Sequence, residues 1–109
     1  MLLCKGESVS MKTRSEIQIN YQRAKKQAQD LERIARDLRR MANNNLQDCI
    51  SDISYNWTGD NAQEYLKKCR RLKENIEETA RKIETTANTI KRVAKNIYDA
   101  EMRAIRILS

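Results

Sequence analysis

One spacing runs through the second half of the chain without a lapse. Ala62, Tyr65, Cys69, Leu72, Ile76, Thr79, Ile83, Thr86, Ile90, Val93, Ile97, Ala100, Ala104 and Ile107 stand three or four positions apart throughout. A strand alternates every second residue, so this pattern requires a long helix, and a helix with one apolar stripe must lay that stripe against another element. The first half supplies a helical partner. Its inward positions run Ile17, Tyr21, Ala24, Ala28, Leu31, Ala35, Leu38 and Ala42, alternating by four and three as a heptad seam does. The next steps, to Leu46, Cys49 and Ile53, add an extra four-residue interval at Ala42 to Leu46, a stutter in the repeat. Asn43, Asn44 and Asn45 fill that interval and are poor helix formers, so a bend, a frayed turn or a break is expected there. Beside the second seam lie Ala80, Ala87 and Ala94, small enough to let another helix approach closely. Thr79 and Thr86 place hydroxyls where they can fix register.

The two helical patterns meet at Tyr55-Asn56-Trp57-Thr58-Gly59-Asp60-Asn61-Ala62, which holds the only Trp and the only Gly outside the first ten residues. A turn is expected over 56–60. Gly59 suits a positive φ or a close backbone approach, and Asp60 with Gln63, or Asn61 with Glu64, offers a reciprocal cap to the second helix. Trp57 is expected to close the hairpin end as an apolar plug. The first helix should begin near Thr13 or Ser15, which gives arms of about 13–55 and 60–107. The fold class is therefore all-α: an antiparallel two-helix hairpin, one domain over residues 13–109. Residues 1–12 share no periodicity with it and are expected to be disordered or a misassigned start, with Met11 as the true one.

Two helices touching along one seam leave Ile34, Met41, Leu66 and Leu108 partly wet, so assembly into a four-helix bundle or a larger helical complex is expected. The pairing seam is read as Leu31, Leu38 and Leu46 on the first arm and Leu72, Ile76, Ile83, Ile90, Val93 and Ile97 on the second. Phe is absent, and only 39% of residues are hydrophobic, so the chain buries stripes rather than a thick interior. With no His and few loops in which to build a pocket, an enzyme is not expected. Three cysteines without a C-x-x-C pair do not make a metal site, and no cofactor is expected. Cys49 and Cys69 lie ten residues either side of Gly59. They read first as small buried hydrophobes and second as a disulfide formed after export. No run is long and apolar enough for a membrane span, and Met1-Leu2-Leu3-Cys4 is too short for the core of a secretory signal, which by itself reads as cytoplasmic.

The formal net charge is +7. It favours an acidic partner and opposes self-association. Two basic blocks stand out, Arg33 to Arg40 and Lys67 to Lys73, while Glu74, Glu77 and Glu78 form the one close acidic cluster. A solvated face balanced by helix pairs and a docking surface both fit them.

Trp57-x-Gly59-x-x-Ala62-x-x-Tyr65, central in a chain of 109 residues with a helix on each side, resembles the Trp-x-Gly hundred-residue family of ESAT-like proteins. That resemblance implies a hairpin handled by type VII secretion, exported without a cleaved signal. It implies a partner that is a second such hairpin or the helical amino-terminal domain of a toxin, with a secretion ATPase as the receiving machine and a homodimer as the alternative pairing. It also implies that Trp57 and Gly59, beside the carboxy-terminal segment of the paired hairpin, form a composite surface recognised for export. The family's Tyr-x-x-x-Asp/Glu signal is not met: Tyr98 is followed at that distance by Met102, with Asp99 and Glu101 out of register. This departure suits a subunit whose partner carries the signal. The alternative readings are a basic helical nucleic-acid binder and a generic coiled-coil adaptor. Against the first, cations are spread over both helices and Tyr21, Tyr65 and Tyr98 lie on seams.

Overall fold

The computed structural model describes residues 12–108; the expectations for residues 1–10 and for Met11 lie outside the described residues. Four segments follow in order: α1 over Arg14–Arg40, a π-helical segment over Met41–Leu46, α2 over Gln47–Asn56, and α3 over Asp60–Leu108. The first three form one continuous arm and α3 returns antiparallel along it, giving a rod of 74 × 25 × 14 Å. Among the described residues there is no strand. The chain is an antiparallel helical hairpin.

Thr13 starts the first arm by a capping box. Its side chain accepts from the Glu16 amide at 3.1 Å, and the Glu16 carboxylate accepts from the Thr13 amide at 3.2 Å. Where a bend or break was expected at Asn43–Asn45, the arm instead widens to a π turn. A helical stripe drifts when its repeat gains a residue, and a π turn absorbs that residue without breaking the backbone bonding. Ala42 and Ile50 are therefore both buried, while Asn43, Asn44 and Asn45 all face outward.

The contact between the arms runs through small residues. Ala28, Ala35 and Ala42 on the first arm and Ala80 and Ala87 on α3 have no exposed surface. Both sets repeat every seven residues, so the helices meet alanine to alanine and larger side chains are displaced to either flank. On α3 this corrects the seam read from spacing, of which only Ala62 is buried, and Leu66, expected to stay partly wet, is buried as well. The line facing α1 lies one residue past that seam, at Ala80 and Ala87 rather than Thr79 and Thr86, which are exposed. The Thr86 hydroxyl donates to the Lys82 carbonyl of its own helix at 3.0 Å, so it fixes no register between the arms.

Candidate functional site

At 100° per residue, the alanine line divides the hairpin into two broad faces. One is closed by polar bridges between the arms. Arg39 donates to both Glu84 carboxylate oxygens at 2.6 and 2.5 Å, Lys91 reaches Glu32 at 2.8 Å, and Lys73 donates to Gln47 at 2.9 Å. The hydrogen bond from Arg39, with its charge, holds the Glu84 carboxyl below the usual range and raises the guanidinium in turn. The pair is planar and bidentate, the geometry that fixes one arm's register against the other.

The other face is bridged between the arms only at its open end, where Lys12 pairs with Glu101 at 2.9 Å; from there to the tip no ion pair crosses it among the described residues. Leu31, Ile34, Leu38 and Met41 lie on its α1 side, and Leu72, Ile76, Ile83, Ile90, Val93 and Ile97 on its α3 side. Leu31, Leu38, Leu46, Ile76, Ile83 and Ile90 are half-buried, whereas Leu72, Val93 and Ile97 are 50%, 42% and 52% exposed. From Leu72 to Ile97 the stripe contains no charged residue, only Thr79 and Thr86 between the aliphatics. Towards the open end it deepens into a groove of about 450 Å³ among Ile17, Ala24, Ile90, Val93, Ala94 and Ile97, because the two alanines leave room that larger neighbours would fill, and the Lys12–Glu101 pair lines its outer end. The arrangement can seat the apolar ridge of another helix.

At the tip, α2 ends with the Trp57 amide donating to the Ile53 carbonyl at 3.0 Å. Gly59 takes φ 97° and its carbonyl accepts from Gln63 at 3.2 Å, so Gly59 stands at the N-cap of α3. The reciprocal caps expected at Asp60 with Gln63 or Asn61 with Glu64 do not form; Asp60 is already the first helical residue. Trp57 is 55% exposed, its ring 5.9 Å from that of Tyr65 at 36°, and Tyr55 is exposed beside it. This is no buried plug. Ala62, by contrast, is buried and keeps the two arms close behind the turn.

At the opposite end Tyr98 stacks on Tyr21 at 4.7 Å and Met102 is buried, so the residues at the family signal's spacing are packed into the hairpin. Cys49 is exposed and Cys69 half-buried, both as free thiols, which replaces the first reading of two buried hydrophobes. Among the described residues no cluster of His, Cys, Asp or Glu is suited to a metal ion, and no helix is long and apolar enough to cross a membrane.

One feature escaped the sequence reading. The net charge is not where the basic blocks are: residues 47–73 hold five cations against four acids, and residues 31–46 with 74–90 hold six against six. Residues 12–30 with 91–106, the open end, hold ten against four, so +6 of the chain's +7 lies there. Counting charge by height along a hairpin, rather than along the chain, was the signal that would have found it.

Fold and tip together define a class: a helical hairpin bent at a W-x-G turn, with an apolar stripe partly exposed along one face. The family model described as proteins of 100 residues with WXG, WXG100, matches residues 16–102. The chain belongs to that family. A search of curated proteins returned no match, and neither did a search of solved structures.

Proposed function

We propose that the chain is a pairing subunit of a type VII secretion system, carried out of the cell together with a second helical hairpin that covers its apolar face. The supporting observation is the stripe from Leu72 to Ile97, which is apolar, uncharged, partly exposed, and set opposite the face that ion pairs close. Leaving it in water forfeits the burial of several large side chains, on the order of 1.5–3 kcal/mol each when fully covered. The occupant is the hairpin of a co-encoded small protein, or of a toxin's amino-terminal domain, or a second copy. The chain's positive charge does not repel a second copy along this stripe, because no residue of the stripe is charged and Lys12 at its open end is paired with Glu101, so shape decides the occupant.

Export draws on the tip. Trp57 is reachable from solvent, and Gly59 keeps the turn narrow enough for a paired hairpin's end to lie beside it. Because Tyr98 and Met102 are used for packing, the partner is the one to carry a tyrosine-based signal. The test measures secreted amount and partner co-elution for Trp57→Ala and Gly59→Val. Loss of export with pairing intact is the expected result; export that falls only in step with melting would leave the tip structural.

A further inference from the structure

The excess positive charge of the open end is concentrated on one side of the rod. By helical position, Lys25 on α1 and Lys95 on α3 flank the line between the arms on the side of the Lys91–Glu32 bridge, away from the apolar stripe, and Arg92 and Arg103 extend this side outwards. Among the described residues Arg92 and Arg103 make no ion pair, Lys25 lies 5.3 Å over the Tyr21 ring, and Lys95 pairs with Asp99 of its own helix. From Lys91 to Arg103 the patch runs on the order of 20 Å at the helical rise. It stays open when the apolar face is covered.

We propose that this basic face at the open end is a second docking surface, and that it takes an acidic protein segment bearing an apolar anchor. Its chemistry favours protein over phosphate. A shallow hollow beside Lys95 is lined by Ile19, Tyr21 and Tyr98 with Gln18 and Gln22 at its edge. Ile19 is 52% exposed there, so a carboxylate can meet Lys95 or Lys25 while an aliphatic side chain covers Ile19 and the amides bond a peptide backbone. Duplex phosphates need an uninterrupted cationic track, and Asp30 and Asp99 interrupt this one. Single-stranded bases need free aromatic faces, and Tyr21 and Tyr98 are stacked on each other. An anionic membrane would bind through charge together with a broad exposed apolar surface, and on this side the large exposed hydrophobics are Ile19 on α1 and, one turn past Arg103, Ile107 on α3, two single side chains on different arms. The hairpin thus has one face for a pairing partner and another for an acidic one.

The experiment uses the full chain, with its pairing partner if one co-purifies. The probe is a fluorescent peptide of about 15 residues, long enough to form an amphipathic helix across the patch, with Glu on one face and Leu on the other. Gln-for-Glu peptide, a DNA duplex of about 20 base pairs and phosphatidylserine vesicles are compared with it. At low salt the Glu peptide should bind. The triple variant Arg92→Glu, Lys95→Glu, Arg103→Glu, whose helicity is checked by circular dichroism, should weaken binding about tenfold or more, and Ile19→Ser should weaken it severalfold. Leu72→Asp with Val93→Asp should leave peptide binding unchanged while abolishing pairing, so that failure of the pairing reading is distinguishable from failure of this one. The proposal is overturned if the Gln peptide binds equally, if the charge reversal has no effect, or if DNA or vesicles bind more tightly and without need of Ile19.

Discussion

Gly59 shows how little a turn of this kind demands and how strictly it demands it. A Cβ added there would meet nothing within 4 Å, so space does not exclude a side chain; the φ of 97° does. Gly59→Ala should therefore cost about 1 kcal/mol of stability, and Gly59→Val more, from backbone strain alone. Thermal melting of the two variants checks this. Trp57→Ala should cost only about 1 kcal/mol, because a ring more than half exposed and stacked on Tyr65 has little burial to lose. A loss of the size expected for a core Trp would mean that the ring is covered in solution. At the Arg39–Glu84 bridge the sign with pH is fixed. Glu84 has a depressed folded pKa, as has Asp30 through its hydrogen bond from Lys26, so their contribution is present above the ordinary carboxylate range and is lost as pH falls through the lower folded values. Melting temperature at low salt should decline below about pH 4, and Glu84→Gln should flatten part of that decline. A profile unchanged by Glu84→Gln would show that the bridge does not form. The turn glycine was legible from the sequence because the chain has no Pro and no other Gly after residue 10; the exposure of Trp57 was not, since an aromatic beside a turn has the same letter whether it plugs or projects.

At the scale of the element, the π turn and the alanine contact belong together. The stutter was readable from spacing, and the local break expected from three asparagines did not follow, because packing on both sides holds Ala42 and Ile50 inward and the backbone takes up the extra residue. Deleting Asn44 should return the segment to an ordinary α-helix with both flanking stripes still in phase, and stability should stay within about 1 kcal/mol of the parent or rise. Inserting an alanine at the same place should lower it, because a second extra residue cannot be absorbed. Circular dichroism melts separate the two outcomes. The position of the second seam was harder to read. Along α3 two apolar stripes lie side by side, one of alanines and one of aliphatics, and periodicity alone cannot say which faces the other arm. Size matching decides it: Ala28, Ala35 and Ala42 present a flat ridge, and Ala80 and Ala87 lie closest against it. Ala87→Leu should accordingly destabilise by about 1–3 kcal/mol, although it adds apolar surface.

For the whole molecule, the consequence of alanine packing is that the large aliphatics are pushed outwards, and a hairpin that is thin at its own contact has a broad apolar flank left for another chain. The net charge, which from composition alone spoke against self-association, sits at the open end and flanks the other side of the rod. Apart from the Lys12–Glu101 pair at the outer end of the groove, charge and apolar surface thus lie on different sides of the rod, and the two kinds of partner they suit need not compete. The most direct test of this account is the mass of the assembly in solution, measured by light scattering after size exclusion, for the chain alone and with its co-encoded neighbour, before and after Leu72→Asp with Val93→Asp. Both positions are exposed in the single hairpin, so its helicity should be kept. A two-hairpin mass is expected for the parent and a one-hairpin mass for the variant, while a pairing that survives both charges, or a parent that stays a single hairpin under every condition, would rule out pairing through this stripe.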